Sequence, residues 1–169
     1  MIENYVDFIM IIVCLTTMII YNSFIFIKYK EIPVSLSETA YMIGGEKSLK
    51  RYWFTLYCII TAFSILQPLF NNVSSDLEFI PFLLCSGLLF AGFSPAFKNN
   101  LPEKQVHYVS AGISFCCFIL YGFFCMPWFW LLGYAVLLGS LCVWKRDCYV
   151  YFAEILALFS ICIWLLISV

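Results

Sequence analysis

Residues 8–27 read FIMIIVCLTTMIIYNSFIFI, twenty consecutive residues without a charged side chain or a histidine. A helix needs about 20 predominantly apolar residues to cross roughly 30 Å of hydrocarbon. The stretch therefore predicts a membrane-spanning helix, in which Asn22 and Ser23 would hydrogen-bond to neighbouring helices.

The composition of the whole chain agrees with a membrane protein. Of its 169 residues, 64% are hydrophobic and 11% are charged, whereas an average soluble domain is about 45–50% apolar and about 25% charged. Nine basic against ten acidic side chains leave no basic face for nucleic acid, so we expect no nucleic-acid partner. Nine cysteines in mostly apolar runs and a single histidine predict neither a metal site nor a cofactor.

Six apolar runs of near-spanning length follow one another, each bounded by charge, proline or amide clusters. They predict an all-α polytopic membrane protein, a compact six-helix bundle that forms a single domain over residues 1–169. The predicted spans are residues 5–27, 52–70, 79–97, 106–124, 128–144 and 149–169.

The basic residues predict the orientation of this bundle. All nine lie in three alternate loops, at residues 28–51, 98–105 and 145–148. Short loops rich in Lys and Arg stay on the cytoplasmic side, so we expect both termini outside. The basic residues are Lys28, Lys30, Lys47, Lys50, Arg51, Lys98, Lys104, Lys145 and Arg146.

The first of these loops contains a helix signal. Ser35 is a candidate N-cap, Glu38 stands three residues later as in a capping box, and Gly44-Gly45 would end the helix. We expect a short cytoplasmic helix in the membrane interface. It is either a connector between two spans or a lid over a cavity.

Four polar residues form a candidate functional cluster at the same side of the membrane. Glu154 lies five positions after Tyr149, about 7 Å along a helix, and an ionisable group at that depth is expensive and often functional. His107 lies at an equivalent level and could hydrogen-bond to it; histidine alone has an unperturbed pKa near neutral pH. Glu38 and Tyr41 complete the cluster. Each also has a structural reading, as a capping, cross-linking or hydrated surface residue, and the sequence does not identify a catalytic residue.

Small residues recur at helix-packing intervals, which allows helices to approach closely. The pairs are Gly87 with Ala91, Ser110 with Ser114, Ala135 with Gly139, and Ala153 with Ala157. Ser94-Pro95 predicts a kink near the end of the third span.

Three stretches carry a resemblance to a known group of proteins. They are PVSLSETAY at residues 33–41, AGFSPAF at 91–97 and VHYVSA at 106–111. Together they resemble a family of small uncharacterised bacterial multi-pass proteins, which has no assigned activity. The resemblance implies a bacterial inner-membrane location.

Three functions remain open at this point. The sequence favours a non-enzymatic interaction or structural subunit, with membrane lipids, a second copy or another membrane protein as its partner. The alternatives are binding or passage of a lipid, small molecule or ion through the bundle, and a lipid-directed membrane enzyme. No familiar catalytic motif is present, which weighs against the enzyme.

Overall fold

A computed structural model describes residues 2–44, 48–98 and 100–168, with side chains from residue 5 onwards. These residues form seven α-helices and no strand, so the all-α prediction is confirmed for this part of the chain. Gly45 was predicted to end the short helix, and Lys47 was one of the nine basic loop residues. Both lie outside the described residues. The helices are α1 (Ile2–Tyr29), α2 (Thr39–Gly44), α3 (Tyr52–Asn71), α4 (Phe79–Phe93), α5 (Leu101–Cys125), α6 (Trp128–Trp144) and α7 (Tyr149–Ser168).

The long helices are suited to a membrane. Counted with their flanking 3-10 turns, α1, α3, α4, α5 and α7 are the five helices long and apolar enough to cross one. The helix α6 is equally apolar but has only 17 residues. The structure is thus that of a multi-pass, membrane-embedded protein with five to six helices able to span.

The connection between α4 and α5 differs from the prediction. The helix α4 ends at Phe93, four residues before the predicted end of the third span, so the kink expected at Ser94-Pro95 is a helix end instead. Proline disfavours helical backbone in the residue before it, and Ser94 has φ −110° and ψ 57°. The next helix begins at Leu101, five residues before the predicted fourth span, with Pro102 in the first turn, where proline is favoured.

Helix α3 is the centre of the bundle. It packs against α1 on one side and α4 on the other, α4 packs against α5, and α7 returns to contact α1, α3 and α5. A single face of α1 enters this core, and its buried residues are spaced alternately three and four apart, as one side of a helix requires. They are Asp7, Ile11, Cys14, Met18, Tyr21 and Ile25.

Small residues hold α4 and α5 together as predicted. A Cβ atom placed on Gly87 would lie 2.6 Å from the backbone oxygen of Ser110 and 2.9 Å from the backbone nitrogen of Ser114. The Ser114 hydroxyl also donates to the Leu84 carbonyl of α4 (2.9 Å). By contrast, a Cβ atom placed on Gly139 of α6 would meet no heavy atom of another described helix within 4 Å.

Polar contacts mark the two ends of the bundle. At one end Asn71 Nδ2 donates to Asp7 Oδ2 (2.6 Å), which ties the end of α3 to the start of α1. At the other end the connection after α1 meets the connections after α4 and α6, through the Lys98–Glu38 ion pair (2.6 Å) and the contact of Cys148 Sγ with the Ile32 carbonyl (3.5 Å). We call this second end the basic end, because Lys28, Lys98 and the other described lysines and arginines lie in or beside these connections.

Candidate functional site

The connection after α1 turns back into the bundle. Lys30 ends α1 with a φ of 54°, the left-handed conformation that commonly terminates helices, and its N–H donates to the Phe26 carbonyl (2.9 Å). The chain then inserts Leu36 and Ala40, which are 4% and 0% exposed. We refer to residues 32–44 as the lid segment. They cover the basic end of the bundle, and Leu36 and Ala40 anchor them in its interior.

The start of the short helix in the lid segment departs from the predicted capping box. The Ser35 hydroxyl does accept a hydrogen bond from the Glu38 N–H (3.2 Å), as predicted. The Glu38 carboxylate does not return to Ser35, because it pairs with Lys98 instead. Residues before Thr39 form turns, and regular α-helix is confined to Thr39–Gly44.

Glu154 of α7 anchors the middle of the lid segment. Its Oε2 accepts a hydrogen bond from the Leu36 N–H (N···O 2.6 Å). One turn away, the otherwise unpaired N–H of Tyr151 near the start of α7 donates to the Val34 carbonyl (3.1 Å). Two successive turns of α7 therefore hold the lid segment by its backbone at Val34 and Leu36.

A second anchor lies on the opposite flank of the lid segment. Lys98 Nζ forms an ion pair with Glu38 Oε1 (2.6 Å), and the Lys98 N–H donates to the Tyr41 hydroxyl (2.7 Å). The Tyr41 ring packs edge-on against Phe97 with centroids 5.3 Å apart. The α4–α5 connection thus holds the helical part of the lid segment by charge, hydrogen bond and ring contact.

His107 joins this second anchor from α5. Its ring is 3% exposed and stacks on Phe97 with centroids 4.1 Å apart and planes 9° apart. Nδ1 lies 3.0 Å from the Ala91 carbonyl oxygen; because a carbonyl only accepts, Nδ1 carries the proton. In the neutral ring Nε2 is then an acceptor.

Glu154 and His107 both line one cavity of about 70 Å³ beneath the lid segment. They do not hydrogen-bond to each other: the carboxyl bonds to the lid segment, and the imidazole bonds to α4. The bond that the sequence analysis considered between them is therefore wrong for this arrangement. The remaining walls are largely apolar and include Leu84, Phe118 and Ile161.

The structure places all four predicted site residues at the basic end. Glu38, Tyr41 and His107 are connected through Phe97 and Lys98, whereas Glu154 reaches the lid segment from the other side.

Sequence reasoning missed several partners in this arrangement. Lys98 was considered only together with the other lysines of its side of the membrane, without an assigned partner. The Leu36 N–H carries no side-chain signal at all. The bond between the Tyr21 hydroxyl and the Thr39 hydroxyl (2.6 Å) was also missed. A tyrosine hydroxyl within the otherwise apolar run 8–27 was a signal that could have suggested a partner.

Among the described residues, no group of three or more His, Cys, Asp or Glu side chains is arranged to hold a metal ion. Comparison with known proteins gives no significant match to a family model, to a curated protein or to a solved structure. The resemblance carried by residues 33–41, 91–97 and 106–111 therefore stays a sequence-based expectation.

Proposed function

We propose that this chain is a non-enzymatic membrane protein that binds a small cation in the cavity beneath the lid segment. The observation that carries the proposal is the hydrogen bond between Glu154 and the Leu36 N–H. The Glu154 carboxyl group lines the cavity and also holds the lid segment that covers it. A ligand that engages Glu154 would therefore also act on the lid segment.

The size and chemistry of the cavity favour a small cation. A volume of about 70 Å³ accommodates an ion with a water molecule or a molecule of a few atoms, and is too small for a lipid chain. Glu154 is the acid among the described lining residues, and His107 offers a neutral acceptor nitrogen. A carboxylate oxygen and an imidazole nitrogen both accept hydrogen bonds from an ammonium group, and a carboxylate oxygen is also a ligand for hard metal cations.

The arrangement supports binding more than passage. Beyond Glu154 and His107 the cavity walls are mainly apolar, as at Leu84, Phe118 and Ile161, and the other polar side chains among the described lining residues are Ser37 and Ser114. The Ser114 hydroxyl already bonds to the Leu84 carbonyl, so the walls offer a cation few further ligands on the way across. A conducting pathway would need successive polar partners at membrane depth.

The proposed setting extends the sequence predictions. The chain would cross the membrane six times, with α6 as the short span: its 17 residues rise about 26 Å, at the lower limit for crossing. The basic end would face the cytoplasm, so that loops 28–51, 98–105 and 145–148 lie inside and both termini lie outside. The lid segment would then be a cytoplasmic element in the membrane interface, and a bacterial inner membrane would be its location.

Calorimetry with defined cations tests the binding. Protein in nanodiscs would be titrated with Na⁺, K⁺ and methylammonium against a choline background. We expect one of them to bind at one site per chain, and Glu154→Gln to weaken that binding by about 10- to 100-fold, as loss of a charged partner does. Ser140→Ala is the matched control, because Ser140 is exposed and bonds within its own helix. No binding of any of the three cations, or unchanged binding to Glu154→Gln, would contradict the proposal.

A second candidate, the interaction subunit, is favoured by α6. Tyr134 is its one buried residue, and a Cβ atom placed on Gly133 or Gly139 would meet no heavy atom of another described helix within 4 Å. A helix that packs only along one edge leaves most of its surface to lipid or to another helix.

Oligomeric state in mild detergent tests this second candidate. A defined dimer or a co-purified membrane protein, lost on replacing Gly139 with Leu, is the expected result. A monodisperse monomer that binds a cation would instead leave the first proposal standing alone.

The enzymatic alternative lacks comparable support. The His107 side chain bonds to a backbone carbonyl, and no hydroxyl or thiol of the described residues is hydrogen-bonded to it. An imidazole that activates a nucleophile needs that hydrogen bond.

A further inference from the structure

A second, larger cavity lies on the outside of the bundle between α1 and α3. It is an open groove of about 520 Å³ that begins at the basic end with Lys28 and Lys50. Its walls run along α1 as far as Thr17, about 16 Å below Lys28 at the rise of a helix. The described residues that line the groove are all different from those that line the small cavity at Glu154, so the two are separate.

The walls of the groove match a hydrocarbon chain. Ile20, Phe24 and Leu56 line it and are 64%, 45% and 43% exposed. In a membrane-embedded protein such side chains lie against lipid, and a groove between two helices offers a chain more contact than a flat helix face. Trp53 lines the same groove, is 58% exposed, and stands at the level of the lysines, where tryptophan is enriched at membrane interfaces.

The mouth of the groove matches an anionic headgroup. Neither Lys28 nor Lys50 has a carboxylate within ion-pair distance among the described residues, whereas Lys98 is paired with Glu38. The Lys28 ammonium lies 5.2 Å from the Phe24 ring centroid and 5.1 Å from the Tyr29 ring centroid, so two aromatic rings hold the charge beside the groove. The described residues supply no carboxylate to these two ammonium groups, and two such charges over an apolar groove are complementary to a phosphate with an acyl chain attached.

We infer that the groove between α1 and α3 binds an anionic phospholipid, with the phosphate at Lys28 and Lys50 and an acyl chain along Ile20, Phe24 and Leu56. Basic pockets between membrane helices on the cytoplasmic side are known to select anionic headgroups. The inference requires only that the chain is embedded in a membrane. It does not depend on cation binding beneath the lid segment.

Quenching of tryptophan fluorescence by brominated lipids tests the inference. The protein would be placed in phosphatidylcholine vesicles that contain a small fraction of either brominated phosphatidylglycerol or brominated phosphatidylcholine. We expect more quenching by the anionic lipid than by the zwitterionic one at equal mole fraction. Trp53→Phe should remove this excess, because Trp53 is the tryptophan in the groove.

Charge variants then locate the site. The double variant Lys28→Gln/Lys50→Gln should lose about 30-fold in apparent affinity, at about 1 kcal/mol for each ammonium. The matched control is Lys145→Gln/Arg146→Gln, which removes the same charge at the basic end outside the groove and should keep the excess. Circular dichroism of each variant verifies that its helices are intact.

Three outcomes would overturn the inference. The first is equal quenching of the wild-type protein by both brominated lipids. The second is an equal loss in the two charge variants, which would indicate attraction to the whole basic end rather than a site. The third is loss of the excess on adding inorganic phosphate but not chloride at matched ionic strength, which would indicate a site for free phosphate.

Discussion

Replacing Glu154 with alanine should loosen the lid segment without unfolding the bundle. The substitution removes the acceptor of the Leu36 N–H, which lies 2.6 Å from Oε2 in a residue that is 4% exposed. A buried N–H left without a partner costs about 1–3 kcal/mol. That cost falls on the closed state of the lid segment, so its opening equilibrium should rise about 5- to 150-fold. Glu154→Gln keeps an acceptor oxygen and should raise it by less than about 5-fold.

Amide hydrogen exchange followed by mass spectrometry measures this opening, because exchange of protected amides reports local unfolding. Peptides that cover residues 36–42 should exchange faster in Glu154→Ala, and peptides from α3 should not change. Ser140→Ala, which deletes a hydrogen bond within α6, should leave both regions unchanged. Unaltered exchange of the lid segment in Glu154→Ala would refute the role of Glu154 in holding that segment closed. Equal acceleration in α3 would show instead that the bundle as a whole had been destabilised.

Three further substitutions probe the helix packing and the second anchor of the lid segment. Gly87→Ala places a Cβ atom 2.6 Å from the Ser110 carbonyl oxygen and should lower the thermal unfolding midpoint in detergent, at a cost of about 1–3 kcal/mol. Gly139→Ala meets no neighbour within 4 Å and should leave the midpoint unchanged or slightly higher; equal effects of the two would argue against the close α4–α5 contact. Lys98→Gln breaks the partly exposed ion pair with Glu38, so it should cost less than about 1 kcal/mol and accelerate exchange in the lid segment less than Glu154→Ala does. The reverse order in the exchange data would mean that Lys98 is the stronger anchor.

The helices of this chain could be predicted from its sequence because their cause is local. A run such as residues 8–27 has too little charge to meet water, whatever surrounds it. The small residues at Gly87 and Ser110 likewise predicted a close approach that the structure contains. The end of α4 and the start of α5 were missed because Pro95 and Pro102 determine the local backbone geometry more strongly than hydrophobicity does.

The candidate site could be predicted only in its residue types. Glu154 and His107 stood out because ionisable groups are rare among apolar neighbours, and both do line one cavity. Their bonding partners, the Leu36 N–H and the Ala91 carbonyl, are backbone groups that no residue pattern reports. Lys98 pairs with a residue sixty positions away in the sequence, so its role depends on tertiary packing alone.

A density map of the protein in nanodiscs, recorded with the cation that calorimetry identifies, tests the central claim most directly. We expect density in the cavity between Glu154 and His107, with Leu36 of the lid segment still buried in the bundle. A map in which side chains fill that cavity, or in which residues 32–44 lie away from α7 with Glu154 facing lipid, would contradict it.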